Sequence, residues 1–485
     1  MPTTARFQAH NPYDGTPGPW HPESAPEAIA EATRNASKAF RAWRGTDPTG
    51  LLLEIATRLA AVGDELIDTA DGETGIGPDR LAGELDRTVY QLRSYAEQAS
   101  EYLDTVRDKP RGTTPDLRRT NIPVGPVAIF TASNFPFAFG VAGTDTAAAL
   151  AVGCPVVVKG HPLHPATNAL TARLITEAVA AVGAPAGVFA LVQGKTIETG
   201  AALVTAPEVA AVAFTGSFGG GRALHELAAA RPRPIPVYAE MGSLNPVYLS
   251  PATVSSLRDQ TVADFVTSAT ALNGQLCTNP GLVFVPTGAD GDQWIAEVVA
   301  RMSTIEPATM LSEGMRTALS RAIATVKQLP DVRIRLEGRS GKGFRQSPTV
   351  VETDVPGFLA GAVLREEHFG PFTALVRYHD TSELLTAAEA LEPALTATIH
   401  ALPSESDWTA AVCRHAELSS GRVIFDGWPT GVAVSAAQHH GGPWPATSSA
   451  AHTSVGPAAV RRFLRPLAYQ NAPTDQLPPY LGDPQ

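Results

Sequence analysis

Cysteine is nearly absent from this chain, and so is any long unbroken apolar run. Of 485 residues only three are cysteine, at Cys154, Cys277 and Cys413. Three cannot build a disulfide framework, which points to a reducing compartment and so to the cytoplasm. No apolar run approaches the roughly 20 residues that cross a bilayer, so no membrane partner is expected. Charged residues are sparse at 18%, and their balance of −11 has the wrong sign for a phosphate backbone, so no nucleic acid is expected either. The start, Met1-Pro2-Thr3-Thr4-Ala5-Arg6, carries no apolar stretch behind its charge and reads as no secretory signal. Apolar residues, by contrast, make up 44% of the chain, enough for a large core. The length exceeds what one core supports, which predicts two or more domains.

The first hundred residues read as helical. Ser24-Ala25-Pro26-Glu27 has the form of a capping box, followed by Ile29, Ala32, Ala36, Phe40 and Trp43 at helical spacing. A second helix carries Leu81, Leu85, Val89, Leu92, Ala96, Ala99 and Leu103 on one stripe. From residue 124 the pattern changes to short apolar runs separated by Ala-rich helical stretches: 127–130, 155–158, 187–192, 209–214 and 236–238. Continuous apolar strands alternating with helices predict a parallel α/β sheet covered on both faces. Each run ends in small or polar residues: Ser133-Asn134, Lys159-Gly160, Gln193-Gly194, Thr215-Gly216-Ser217 and Glu240-Met241-Gly242. Open α/β sheets bind ligands at the carboxyl ends of their strands, so these ends are expected to form one crevice. A second α/β stretch runs from about Leu244 to residue 440. The Pro-rich tail after Tyr469 is too short for its own core and is expected on the surface or across to another subunit.

Cys277 stands in Asn273-Gly274-Gln275-Leu276-Cys277-Thr278, just before the strand-like 282–285. A lone cysteine is most often a small buried hydrophobe. Here the flanking Asn, Gly and Gln are expected to place donors near the sulfur, stabilising a thiolate or the oxyanion formed when it attacks a carbonyl. Cys154 and Cys413 have no such setting. His439-His440 invites a metal reading, but no Cys or carboxylate stands at ligand spacing, and no metal is expected.

Asn-Gly-Gln-x-Cys at 273–277, Glu-Met-Gly-Ser-x-Asn-Pro at 240–246 and Glu-Glu-His-Phe-Gly-Pro at 366–371, with Asn134 upstream, resemble the aldehyde dehydrogenase superfamily from about Asn11 to Phe463. The resemblance implies a Rossmann-type cofactor domain, an α/β catalytic domain and a small bridging segment. It divides the chain as 1–106 with 124–242 (cofactor), 243–440 (catalysis) and 107–123 with 456–485 (oligomerisation), and implies a homo-oligomer, dimer or tetramer. It implies Cys277 as nucleophile, the Asn134 amide with the Cys277 N–H as oxyanion hole, and Glu240 as the base that activates water. A carboxylate in an apolar cleft is expected to have a raised pKa. The cofactor residues implied are Lys159 at the adenosine ribose, Gly216, Ser217 and Gly221 under the pyrophosphate, and Glu367 and Phe369 at the nicotinamide ribose.

One departure bears on the cofactor. Many NAD-using relatives place a carboxylate three residues after the lysine, where this chain has Lys159-Gly160-His161-Pro162. The missing carboxylate permits a 2′-phosphate, and His161 is expected to add positive character, so NADP is favoured with NAD possible. Longer stretches, including 132–136, 276–281, 427–432 and 440–448, are similar to 2-oxoglutarate semialdehyde (2,5-dioxopentanoate) dehydrogenases. That implies oxidation of this semialdehyde to 2-oxoglutarate through a thiohemiacetal and thioester. A fatty or aromatic aldehyde substrate is the alternative, and a silent scaffold or binding protein of the same fold the alternative of another class. A carboxylate substrate calls for a cation, and Arg118 and Arg119 stand nearest before Asn134, Arg119 being the preferred candidate.

Overall fold

A computed structural model describes residues 5–108 and 116–482. The residues at 1–4, 109–115 and 483–485 lie outside the described residues, so part of the expected bridging segment and the start of the chain do too.

The five apolar runs form one five-stranded sheet, all parallel, in the order 189–192, 156–159, 127–130, 211–215, 237–240. Alternation along each strand sends side chains to both faces. Val127 and Ile129 join a core with the helices at 49–61 and 78–98, while Ala128 and Phe130 join another with the helix at 26–42. Both faces are covered, which is why these strands read as unbroken apolar runs. The chain leaves strand 127–130 in one direction and returns at 211–215 beside it. That reversal opens a crevice at the carboxyl ends, where Asn134 and Gly216-Ser217 follow the two strands.

The second half builds a seven-stranded sheet in the order 333–336, 349–354, 372–378, 282–286, 247–249, 394–400, 420–425. All neighbours are parallel except the edge strand 333–336. It too is covered on both faces, with Tyr248 and Phe284 on one side and Val247 and Val283 on the other. A small antiparallel sheet joins 106–108, 117–123 and 464–470. The tail packs against its own chain: Leu477 and Leu481 are buried, and Arg118 Nη1 donates to the Leu481 carbonyl at 2.6 Å.

Two local expectations differ from the structure. The N-terminal stretch opens with a β-hairpin, 6–10 against 17–22, before its helices. The helix at Pro26–Ala42 has no side-chain cap, because the Ser24 hydroxyl instead accepts the Gln193 N–H at 3.0 Å, tying the helix start to the sheet. Among the described residues no helix is long and apolar enough to cross a membrane.

Candidate active site

The cysteine loop follows the helix at Arg258–Thr270 and begins with strain. Leu272, Asn273 and Gly274 take φ of 49°, 51° and 69° in succession. A left-handed non-glycine residue costs on the order of 1–2 kcal/mol, so surrounding contacts must hold the turn. Asn273 Nδ2 donates to the carbonyls of Ala308 (2.9 Å) and Gln346 (3.1 Å). Gln275 Nε2 donates to Leu272 and Thr309 carbonyls, and its Oε1 accepts the Leu311 N–H at 2.8 Å. A Cβ on Gly274 would stand 2.2 Å from the Gly370 carbonyl oxygen, so only glycine lets this loop close on the 366–371 loop. Asn245 Nδ2 donates to the carbonyls of Cys277 (2.8 Å) and Asn279 (3.0 Å). The amides of Asn273 and Gln275, expected beside the sulfur, are therefore spent on holding the backbone that presents it.

What faces the thiol is different. His440 Nε2 lies 3.6 Å from Cys277 Sγ and 2.9 Å from Glu240 Oε1, so one ring nitrogen meets both groups. The Ser454 hydroxyl donates to Glu240 Oε2. Glu240 ends strand 237–240, and His440 arrives on a loop whose place is fixed by its own N–H to Thr453 Oγ1 (2.9 Å) and by Ser454 N–H to its carbonyl (2.8 Å). Asn134 Nδ2 donates at 2.9 Å to the carbonyl of Gln275, two residues before the cysteine. The structure thus brings Asn134, Glu240 and Cys277 together from three distant segments.

Burial acts on both titrating groups, with different outcomes. Burial alone would raise the Glu240 carboxyl, but the charge and hydrogen bonding of His440, then Ser454 and Cys277, more than offset it and leave it lowered. The raised carboxylate expected from an apolar cleft is thus corrected, because the cleft is not apolar at this point. The Cys277 thiol is pushed well above its ordinary value, first by burial and then by the charges of Glu240 and Glu367. The resting pair is a protonated thiol beside an ionised carboxylate. His440 carried no catalytic signal in the sequence: its carboxylate and cysteine neighbours are supplied by the fold, not by local spacing. The ligand atoms of Glu240, Cys277 and His440 lie within 4.8 Å of one another, close enough to hold a metal ion, though each already has a place in the acid–base geometry.

The cofactor candidates line the crevice at the strand ends. Lys159 ends strand 156–159, and among the described residues its Nζ makes one long hydrogen bond, 3.4 Å to the Gly160 carbonyl. Burial pushes this ammonium down to about 8, partly offset by the charge of Glu23. Ser217 caps the helix at Phe218–Ala229, accepting the Gly220 N–H at 3.2 Å, and leaves that helix start pointing its amides outward. Gly219 has nothing within 4 Å of where a Cβ would stand, and a Cβ on Gly221 would meet Met241 Sδ at 2.6 Å. A helix N-terminus with bare glycines and an underused lysine suits a pyrophosphate and its adenosine, so these residues fit a dinucleotide. Glu367 faces water in the crevice beside Gly242, where a Cβ would fall 2.1 Å from its Oε2, and surrounding protein still pushes its carboxyl up to about 7. Phe369 lines the same pocket with Leu244, Leu276 and Asn279. His161 departs from its expected part. Burial, then His164 and Lys159, push its ring well below the ordinary value, and its Nδ1 accepts the Leu163 N–H, so it is neutral and adds no positive character.

Arg119 is not brought to this site within the subunit. It is exposed on the small antiparallel sheet, opposite Ala468 and Val106, while Arg118 beside it is buried and pairs with Asp116 at 2.7 Å. Cys154 is fully buried, its Sγ donating to the Phe463 carbonyl, and Cys413 lies against Glu417.

The chain matches the aldehyde dehydrogenase family over residues 1–465. It is 43% identical over 460 residues to alpha-ketoglutaric semialdehyde dehydrogenase 2 of Azospirillum brasilense, covering 93% of this chain and 88% of that one. It is 38% identical over 470 residues to alpha-ketoglutaric semialdehyde dehydrogenase of Acinetobacter baylyi, covering 94% and 89%. A solved structure of lactaldehyde dehydrogenase superposes with a TM-score of 0.85 over 97% of this chain and 96% of that one, at 20% identity, which speaks to the fold alone.

Proposed function

Because the chain belongs to the aldehyde dehydrogenase family, an enzyme family that oxidises aldehydes with NAD(P), we propose that it converts 2-oxoglutarate semialdehyde to 2-oxoglutarate through an acyl group carried on Cys277. The observation that carries the chemistry is the bridge from Cys277 Sγ through His440 Nε2 to Glu240 Oε1. A buried, protonated thiol is a poor nucleophile and needs a base within reach. The ionised Glu240, held by the His440 Nε2–H and itself hydrogen-bonded to the Cys277 thiol, takes the thiol proton as sulfur attacks the aldehyde carbon. The oxygen anion of the resulting thiohemiacetal falls to the Asn134 amide and the Cys277 N–H, a donor being worth on the order of 3 kcal/mol at such a charge. A dinucleotide held by Lys159, the Gly216-Ser217 turn with Gly221, and Glu367 would supply the hydride acceptor, and hydride loss from the carbon bound to Cys277 Sγ would give the thioester. Once the thiol proton has passed from Glu240 to solvent, Glu240 takes a proton from water, whose oxygen attacks the thioester, and returns it to the departing sulfur, which frees the acid and the thiol. A silent scaffold has no use for this assembled set.

The substrate reading is supported by the names of the Azospirillum brasilense and Acinetobacter baylyi relatives, at 43% and 38% identity. NADP is read as the preferred cofactor because Pro162 stands where a ribose-binding carboxylate would repel the 2′-phosphate. With His161 neutral, the positive charge there is that of Lys159 alone. The division into a cofactor domain (1–106, 124–242), a catalytic domain (243–440) and a bridging segment (107–123, 456–485) agrees with the separate sheets. The small antiparallel sheet is the element that would join subunits of a homo-oligomer. Three free cysteines agree with a cytoplasmic setting.

Absorbance at 340 nm tests the reading with 2-oxoglutarate semialdehyde, pentanal and decanal, each with NADP and NAD. The expected result is the highest kcat/KM for the semialdehyde acid with NADP. Preference for decanal would move the protein to fatty aldehydes, and no reduction with any aldehyde would leave only the scaffold.

A further inference from the structure

An oxo-acid semialdehyde carries its carboxylate about 5 Å from the aldehyde carbon, across four C–C bonds. With the aldehyde carbon at Cys277, the anion falls among groups beyond the thiol, and a site that accepts it needs a cation there. The helix at Pro78–Gln98 lays Arg80, Glu84, Arg87 and Gln91 along one stripe on the loop that carries Asn134. Glu84 Oε1 accepts the N–H groups of Phe137 (2.8 Å) and Ala138 (2.9 Å), and the Arg80 guanidinium lies 5.3 Å over the Phe135 ring. Arg87 Nε donates to Gln91 Oε1 at 3.1 Å, but its Nη2 is closed off from solvent and has no hydrogen-bond partner among the described residues.

The second large sheet contributes the other arginine. Arg422, on strand 420–425, donates from Nη2 to the Pro429 carbonyl (2.8 Å) and from Nη1 to the Gly431 carbonyl (3.3 Å). Those bonds hold the loop whose Val432 and Val434 pack with Phe135, Phe139 and Val455 into an apolar wall. The charges of both arginines reach Cys277. Glu84 is the carboxylate beside Arg80 and Arg87, and burial pushes it up to about 7, so it balances at most one of the two. Nε of Arg80 and Nε of Arg422 are also closed off without a partner among the described residues, but the unmet donor of Arg87 is a terminal nitrogen, able to meet a ligand oxygen, and a cationic donor left unmet beside the Asn134 loop favours an anion.

We propose that Arg87 binds the remote carboxylate of the substrate, and that Arg422, with both terminal nitrogens engaged, is a positioning residue that shapes the pocket wall. The pocket then selects short aldehydes ending in a carboxylate. This rests on the semialdehyde reading above and replaces Arg119 in the role that the sequence suggested for it.

The test reads the ratio of kcat/KM for 2-oxoglutarate semialdehyde over pentanal, which has the same chain length and no charge. Arg87→Gln lowers this ratio about 10- to 100-fold, the value of a charge-assisted contact, mostly through KM of the acid, and Arg87→Lys recovers part of it. Arg422→Gln raises KM for both substrates and moves the ratio much less, because it slackens the wall. Glutarate as a dead-end inhibitor of pentanal oxidation gives a second readout: its inhibition weakens in Arg87→Gln by a similar factor. A ratio unchanged in Arg87→Gln, or glutarate inhibition equal to wild type, overturns the role of Arg87 while leaving the acid as substrate. A wild type that prefers pentanal overturns the substrate reading itself.

Discussion

Replacing His440 by Phe keeps the ring volume and removes the nitrogen that stands 2.9 Å from Glu240 Oε1. Glu240 is 4% exposed, so bulk solvent compensates little for the lost partner. Its carboxyl is lowered only because His440, with Ser454 and Cys277, outweighs burial, and with His440 gone the burial cost dominates. A hydrogen bond to a charged group is worth about 1.5–3 kcal/mol, or about 10- to 100-fold in the population of the ionised form. The ionised form is the base that activates water, and the substitution raises the carboxyl, so the acid limb of deacylation shifts to higher pH. At a pH on that limb the rate falls by about 10- to 100-fold, and it recovers as pH rises. Single-turnover release of acyl from Cys277, followed from pH 5 to 9 in both proteins, makes the measurement. An acid limb that stays in place would refute the electrostatic role given to His440, and a loss equal at every pH would reduce it to packing.

Cofactor affinity in the free enzyme should be bell-shaped in pH. Glu367, at about 7, must be ionised to accept ribose hydroxyls, so affinity rises as pH climbs through 7. Lys159, at about 8, must stay protonated, so affinity falls as pH passes 8. Protein fluorescence titrations with NADP check this, and flat affinity from pH 6 to 9 would take both residues out of the cofactor site. Pro162→Glu adds a carboxylate against a 2′-phosphate and should move the kcat/KM preference from NADP towards NAD by about tenfold or more. A wild type that already prefers NAD contradicts the reasoning from Pro162.

How much of this was legible in the sequence depended on where the information lay. The parallel sheet was visible because 127–130 and 156–159 are buried on both faces, so their apolar runs needed no partner to interpret. Asn134, Glu240 and Cys277 stood in motifs of family form. The hairpin at 6–10 and 17–22 was missed because its second strand holds three prolines and a glycine and alternates only weakly. His440 and Ser454 were missed for another reason: their meaning arises from a loop folding back onto Glu240, which no local spacing encodes. The carboxylate's direction of shift followed from the same gap, since apolar flanks in sequence said nothing of the histidine and serine that meet it. Arg119 was chosen by nearness along the chain, and strand pairing with 464–470 carries it elsewhere. Arg87 was closer in space because the helix at 78–98 packs on the Asn134 loop.

The account stands on an acyl group that forms on Cys277 and leaves only when Glu240 activates water. Intact-protein mass spectrometry of Glu240→Gln, mixed with aldehyde and NADP, tests both parts at once. The expected result is a burst of about one NADPH per active site, followed by arrest, with the acyl mass retained and mapped to the peptide bearing Cys277. Steady turnover at the wild-type rate with no adduct on Cys277 would contradict it.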